Sequence, residues 1–372
     1  MSTKWALVLG ASLVAGLVTC SGLSNAEAQA PAAAPVAATA GPIQFDVMVT
    51  DKAGIPITGL KQDDFKLTDN KQPIAISSFQ EHTAGSGTPA AVLIVLDNLN
   101  ANFTSVTTER LQLEDYFRKN GEKLANPMGV FSLTNSGLDE LTPISKDGFA
   151  LADALHKKIA DSPMARTSSD VYADEERLNT SLQALSALGR YLNTDGRKVV
   201  VWLGPGWPVI DTSEADVGPV QQQFFFSTVA DLSRMLLNER ITIHSVGMVG
   251  SANDNSRNVG RAGFTNQTNA YAAGGKELAW ESFTKPLTQQ NKAEPGYIAL
   301  QVFALHSGGT VVSGSNDVAK EINRCAQDAA AWYTVTFEAQ KATAPNTWHD
   351  VDVKTSQPKV KVRTENGYYA QP

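Results

Sequence analysis

Ala91-Val92-Leu93-Ile94-Val95-Leu96 is an uninterrupted apolar run that ends on Asp97. A strand with one wet face alternates apolar and polar residues, so a run without polar members suits a parallel strand covered on both faces. Lys198 to Leu203 reads as another buried strand, Ile241 to Val246 as a strand, Gly129 to Leu133 is a further strand candidate, and Thr310 to Ser313 is extended. Helix-like stretches separate them: Thr107 to Lys123, Phe149 to Ile159, Asp174 to Leu192, Phe224 to Leu237, Ile298 to His306 and Asp317 to Ala330. In the third, Leu178, Leu182, Leu185 and Leu188 recur at helical spacing. Apolar strands alternating with helices predict an α/β fold with a doubly wound, mostly parallel sheet, which binds ligands at the carboxyl ends of its strands.

The flanks have a different period. Ile43, Phe45, Val47 and Val49 alternate with less apolar neighbours, Asp51-Lys52-Ala53-Gly54 supplies turn chemistry, and Phe65-Lys66-Leu67 before Asp69-Asn70-Lys71 opens a second hairpin. Trp332 to Phe337, Trp348 to Val353 and Val360 to Arg363 alternate in the same way. One or two hairpins are marginal alone, so residues 43–85 and 331–370 are expected to pair as one small all-β domain around residues 88–330. A chain of 372 residues buries enough surface to need no disulfide staples.

Ahead of these lie Lys4, the apolar stretch Trp5 to Val18, and Ala26-Glu27-Ala28, the three parts of a secretory signal over residues 1–28. The apolar stretch, at about 14 residues, is too short to span a bilayer stably. An Ala/Pro-rich linker follows over residues 29–42. The expected location is periplasmic or secreted, with no membrane span in the mature chain. Cys20 in Leu17-Val18-Thr19-Cys20 suggests a lipid anchor, but Thr19 stands where a smaller residue precedes a lipidated cysteine. Cleavage after Ala28 leaves Cys325 alone, which excludes an internal disulfide, and its helical surroundings Ile322 to Ala326 favour a packed thiol.

Lys plus Arg number 31 against 38 Asp plus Glu, a net charge of -7 with no basic block. Nucleic acid is excluded as a partner, because phosphate binding needs a dense cationic face. Enzyme signatures are missing too: no serine sits between glycines two residues away, and there is no H-E-x-x-H, no cysteine pair and no G-x-x-x-x-G-K. Gly204-Pro205-Gly206 follows a strand as a dinucleotide loop would, yet Val209 replaces the third glycine and Pro205 removes an N–H. His82, His156, His244, His306 and His349 are scattered without metal-ligand spacing. Phe224-Phe225-Phe226 suits a helix core or a partner surface. Met248 to Tyr297 is a long polar stretch leaving a strand end, and it fits a functional loop and a tolerated insertion equally. Asp97, at the carboxyl end of its strand, can hold a hard cation through oxygen, or with Asn98 it can cap the next helix or turn.

The order of these elements, with Lys198-Val199-Val200-Val201-Trp202-Leu203, Ile241-Thr242-Ile243-His244-Ser245-Val246-Gly247 and Ser307-Gly308-Gly309-Thr310, resembles a von Willebrand factor type A domain. Asp51 to Leu60 with Asp63-Asp64-Phe65, Leu96-Asp97-Asn98-Leu99-Asn100, Gly196-Arg197-Lys198 and Gly367-Tyr368-Tyr369 further resemble the von Willebrand factor A-related family of acidobacterial exported proteins. The resemblance covers nearly all of the chain after the signal.

Better-known members carry a metal-ion-dependent adhesion site: D-x-S-x-S in the first loop, Thr in the second and Asp in the third. By position, Asp97 matches the first ligand, whereas Leu99 and Ala101 replace the serines and Gly204-Pro205-Gly206 brings no side-chain oxygen. Thr167, Ser168 and Thr180 compete for the second loop. Magnesium needs near-octahedral oxygen coordination, so the site is read as degenerate, with no cofactor, unless Asn98, Asn100 or the long loop completes it. The resemblance implies a non-enzymatic, exported binding protein that meets a protein or envelope polymer at Asp97, Asn100, Gly204, Pro205, Gly206 and Trp207. The alternatives are a structural component of the cell envelope and, third, an exported hydrolase.

Overall fold

The computed structural model describes residues 41–83, 90–159, 171–191, 196–207, 209–210, 217–249, 270–271 and 280–372. The signal segment and Cys20, nearly all of the linker, and Thr167 and Ser168 lie outside the described residues. The chain runs β1 (Pro42–Thr50), β2 (Phe65–Asp69), β3 (Gln72–Ile74), β4 (Ser78–Thr83) and β5 (Ala91–Asp97), then α1 (Phe103–Asn120), β6 (Met128–Thr134), β7 (Gly137–Ser145), α2 (Gly148–Ile159) and α3 (Val171–Tyr191). It continues through β8 (Lys198–Leu203), β9 (Val209–Ile210), α4 (Pro219–Asn238), β10 (Ile241–Met248), β11 (Ala270–Tyr271), α5 (Leu300–His306), β12 (Val311–Ser315) and α6 (Val318–Ala326). It closes with β13 (Ala331–Glu338), β14 (Thr347–Thr355), β15 (Lys361–Arg363) and β16 (Gly367–Ala370).

The apolar runs lie side by side in a sheet of order β12-β10-β8-β5-β6-β7, parallel except for the β6–β7 pair. Their two faces explain the missing polar positions. Val95, Trp202 and Ile243 point into one layer with Leu185, Val229 and Phe303, while Ile94, Leu96, Val199 and Val201 face Leu113, Phe117, Leu155 and Ile322 on the other. The chain leaves the centre in opposite directions from β5 and β8, so the switch point of this doubly wound sheet lies between them.

The flanking segments interleave. One antiparallel sheet has the order β15-β1-β13-β4 and another the order β16-β14-β2-β3, so each joins strands from both ends of the chain. They share a core that includes Phe45, Val47, Phe65, Leu67, Tyr333, Phe337, Val351 and Tyr368. Asn70 and Lys71 turn the β2–β3 hairpin with φ of 48° and 67°, the positive values a tight two-residue turn requires. The observed fold is the expected one, a mostly parallel α/β sheet with flanking antiparallel sheets. Among the described residues no helix is long and apolar enough to cross a membrane.

Several local expectations need correction. The first helix starts at Phe103 rather than Thr107, because Asn102 caps it: its side chain accepts from Ser105 N at 3.0 Å. The fourth begins at Pro219, well before Phe224. Strand β7 was not expected; it pairs with β6 at the sheet edge, where its half-wet face blurs the apolar pattern. The stretch from Met248 to Tyr297 is not structureless throughout, since its end forms short 3-10 turns at Trp280–Phe283, Gln290–Lys292 and Pro295–Ile298 and buries Phe283, Leu287 and Ala293. The helix expected over Asp317 to Ala330 ends at Ala326 and passes into a 3-10 turn over Gln327–Ala329.

Candidate functional site at the strand ends

At the switch point the backbone of β5 delivers Asp97 beside the carboxyl end of β8. Residues 97–101 then form a tight turn: Asn100 N donates to Asp97 Oδ1 at 2.9 Å and Ala101 N to Asp97 O at 3.2 Å. Asp97 closes that turn and Asn102, not Asp97 or Asn98, caps the helix. The Asn100 amide returns to both Asp97 oxygens at 3.1 Å, and Trp202 Nε1 reaches Oδ2 at 3.0 Å from the neighbouring strand. Asn100 Nδ2 also donates to Ser181 Oγ at 3.0 Å, which ties the turn to α3. Ser181, rather than Thr180, is therefore the α3 hydroxyl that meets the loop. Asn98 leans the other way, with Nδ2 at 2.5 Å from Ser132 Oγ.

The third loop closes the site from the side. Gly204 has φ of +148°, and a Cβ on it would stand 2.6 Å from Asp97 Cβ, so only glycine allows the two loops this approach. Pro205 O accepts from Gln301 Nε2 at 3.0 Å, and Trp207 Nε1 donates to Ile298 O at 2.7 Å while its ring packs edge-on against Trp202. Asp97 and Trp207 are fully buried and Asn100 is 6% exposed. The structure thus brings Asp97, Asn100, Gly204, Pro205, Gly206 and Trp207 together, as the floor beneath the strand ends. Of the six only Pro205 is partly open to solvent. The exposed apolar side chains directly after the strands are Phe103 and Val249, at 64% and 55% exposure. Sequence reading missed both, since a lone apolar residue after a strand gives no signal.

Burial pushes the Asp97 carboxyl up to about 6, against the pull of the Trp202 and Asn100 hydrogen bonds. Glu109 on α1 is also fully buried. Neither of its carboxyl oxygens has a hydrogen-bond partner among the described residues, and burial together with the charge of Asp97 raises it to about 8. Nothing in the sequence marked Glu109, which looks like any helix-surface acid.

The resemblance to von Willebrand factor A domains would imply a divalent ion here, and the described side chains do not fit one. Leu99 and Ala101, in the serine positions, are buried at 2% and 5% exposure. Gly204 to Gly206 offer no side-chain ligand, and the Asp97 oxygens already accept from Trp202 and Asn100. Among the described residues no group of three or more His, Cys, Asp and Glu side chains is gathered for a metal. Among the described residues the side chains that hydrogen-bond the Asp97 carboxyl are those of Asn100 and Trp202.

No protein-family model matches the chain, and no curated protein sequence does. Solved structures resemble it at a distance. The manganese-loaded TRAP protein of Plasmodium vivax aligns over 77% of this chain and 96% of its own at 10% identity and a TM-score of 0.31. The pilus adhesin SpaC of Lactobacillus rhamnosus GG aligns over 83% and 48% at 8% identity and a TM-score of 0.36. The vWF domain of the type V pili tip protein Mfa5 of Porphyromonas gingivalis aligns over 38% and 49% at 14% identity and a TM-score of 0.23. The chain spans about half the length of the SpaC and Mfa5 chains. The architecture itself stands on the strand order and pairing described above.

Proposed function

We propose that this chain is an exported, non-enzymatic binding protein of the acidobacterial von Willebrand factor A-related kind, whose strand-end face makes protein or polymer contacts without a divalent ion. The observation that carries this reading is the hydrogen bonding of Asp97. A carboxylate that accepts from an indole N–H, an amide side chain and a backbone N–H already has what a bound cation would supply. Phe103 at the start of α1 and Val249 just past the end of β10 are open to solvent, the kind of apolar contact a macromolecular partner covers. Among the described residues no nucleophile and base pair with Asp97, which argues against hydrolysis. The test is capture of partners from envelope extract by the mature protein, in EDTA and in magnesium. Equal capture in both, lost in Phe103→Glu with Val249→Glu, is the expected result; capture that needs magnesium, or that survives the double substitution, refutes the reading.

A further inference from the structure

Away from the strand ends, a cavity of about 20 Å³ lies where α4, the end of α5, β14 and the corner before β16 meet, with Ser233, His306, Trp348, Glu365 and Asn366 on its walls. That is room for a water molecule. The corner is held rigidly: Ser307 pairs with Glu365 as an isolated β-bridge, and Gly308, at φ of +77°, lets the Thr364 backbone approach to where a Cβ would be 2.7 Å away. Three of the wall residues carry a polar atom shut off from solvent with no hydrogen-bond partner among the described residues: Ser233 Oγ, Trp348 Nε1 and Asn366 Oδ1. Buried polar groups without partners are rare, and three around one small cavity point to a missing common partner.

The types of those atoms select its chemistry. The Trp348 indole only donates and Asn366 Oδ1 only accepts, so the occupant must both accept and donate. A metal ion or ammonium would confront the indole N–H, and an anion would confront Asn366 Oδ1 and the Glu365 carboxyl. We propose that the cavity is an internal water site, in which one water accepts from Trp348 Nε1, donates to Asn366 Oδ1 and bonds Ser233 Oγ, and so ties α4 to the C-terminal β segment. Glu365 fits this role: it is 5% exposed, its Oε2 accepts from Thr364 Oγ1 at 2.9 Å, and burial and the nearby Asp46 raise it to about 7. Its carboxyl is therefore protonated in part of the molecules at neutral pH.

The test is a water–protein Overhauser experiment on the Trp348 indole N–H, assigned by its loss in Trp348→Phe. A cross-peak with the sign of a water that tumbles with the protein is expected, and its loss in Asn366→Leu while the other indole signals keep their positions. An indole proton with no such cross-peak, or one that persists unchanged in Asn366→Leu, overturns the proposal. Should Asn366→Leu not fold, crystallography of the unaltered chain decides: a single water within hydrogen-bond distance of the three atoms supports the site, and an empty cavity, a metal or an anion there refutes it.

Discussion

Trp202 supplies one of the hydrogen bonds that hold the Asp97 carboxyl in place. Its indole is fully buried on one face of the central sheet, packs edge-on against Trp207 at 5.5 Å, and gives its one polar atom to Asp97. Trp202→Phe keeps most of the apolar volume and removes that donor, leaving a buried carboxylate short of a partner. The expected cost is about 1–3 kcal/mol in urea denaturation. A change below about 0.5 kcal/mol, the size of an ordinary surface substitution, would mean that the bond to Asp97 is dispensable. The sequence showed Asp97 and the loss of the ligands around it, but Trp202 reads there as one more apolar residue of a buried strand. Only the pairing of β5 with β8 shows that its N–H lies beside the carboxylate.

At the scale of elements, the apolar runs of β5 and β8 are legible because both faces of the sheet are dry there, whereas β10 buries Thr242, His244 and Ser245 among its apolar residues and is marked less plainly by composition. Strand β7 is not legible, since an edge strand with Asp139 and Glu140 exposed loses the pattern that burial imposes. The helix starts at Asn102 and Pro219 could have been read from capping and N1 preferences. The flanking strands were legible by alternation, but their partners are set by register across nearly the whole chain: β13 lies between β1 and β4, and β14 lies beside β2. Truncation after Ala330 therefore removes the strand that joins β1 to β4. Hydrogen exchange over residues 43–83 should then lose its protection. If that segment stays protected in the truncated chain, the shared β domain is refuted.

Across the whole molecule, buried ionisable groups give stability an unusual dependence on pH. Glu109 is raised from 4.5 to about 8 and Glu365 from 4.5 to about 7, each chiefly by burial. Between the unfolded and folded values the unfolded chain has released a proton that the folded chain keeps, so stability falls as pH rises through that window. His244 adds to the fall. Burial opposes its charge, but Cys325 and Asp328, the latter at 3.1 Å, outweigh that and hold it at about 9, so its contribution is full below 6.5 and is lost as pH rises through 9. His306 and His82, lowered by burial, act the other way only below 6.5. At the acid end Asp328, held well below the usual carboxylate range by His244 and Arg363 against the effect of burial, loses its contribution as pH falls below 3.8. The free energy of unfolding should therefore drop between pH 6.5 and 9, by several kcal/mol in order of magnitude. Glu109→Gln should flatten the part below pH 8. A denaturation midpoint that is level or rising over this range would contradict the assignment.

Whether the strand-end face works without a metal is tested most directly by calorimetric titration of the purified protein with magnesium, calcium and manganese. With the Asp97 oxygens held by Trp202 and Asn100, and Leu99, Ala101 and Gly204 to Gly206 in the remaining positions, the predicted result is no stoichiometric heat with any of the three ions. A one-to-one heat at micromolar affinity that disappears in Asp97→Ala would contradict it, and would return metal-dependent adhesion to this face.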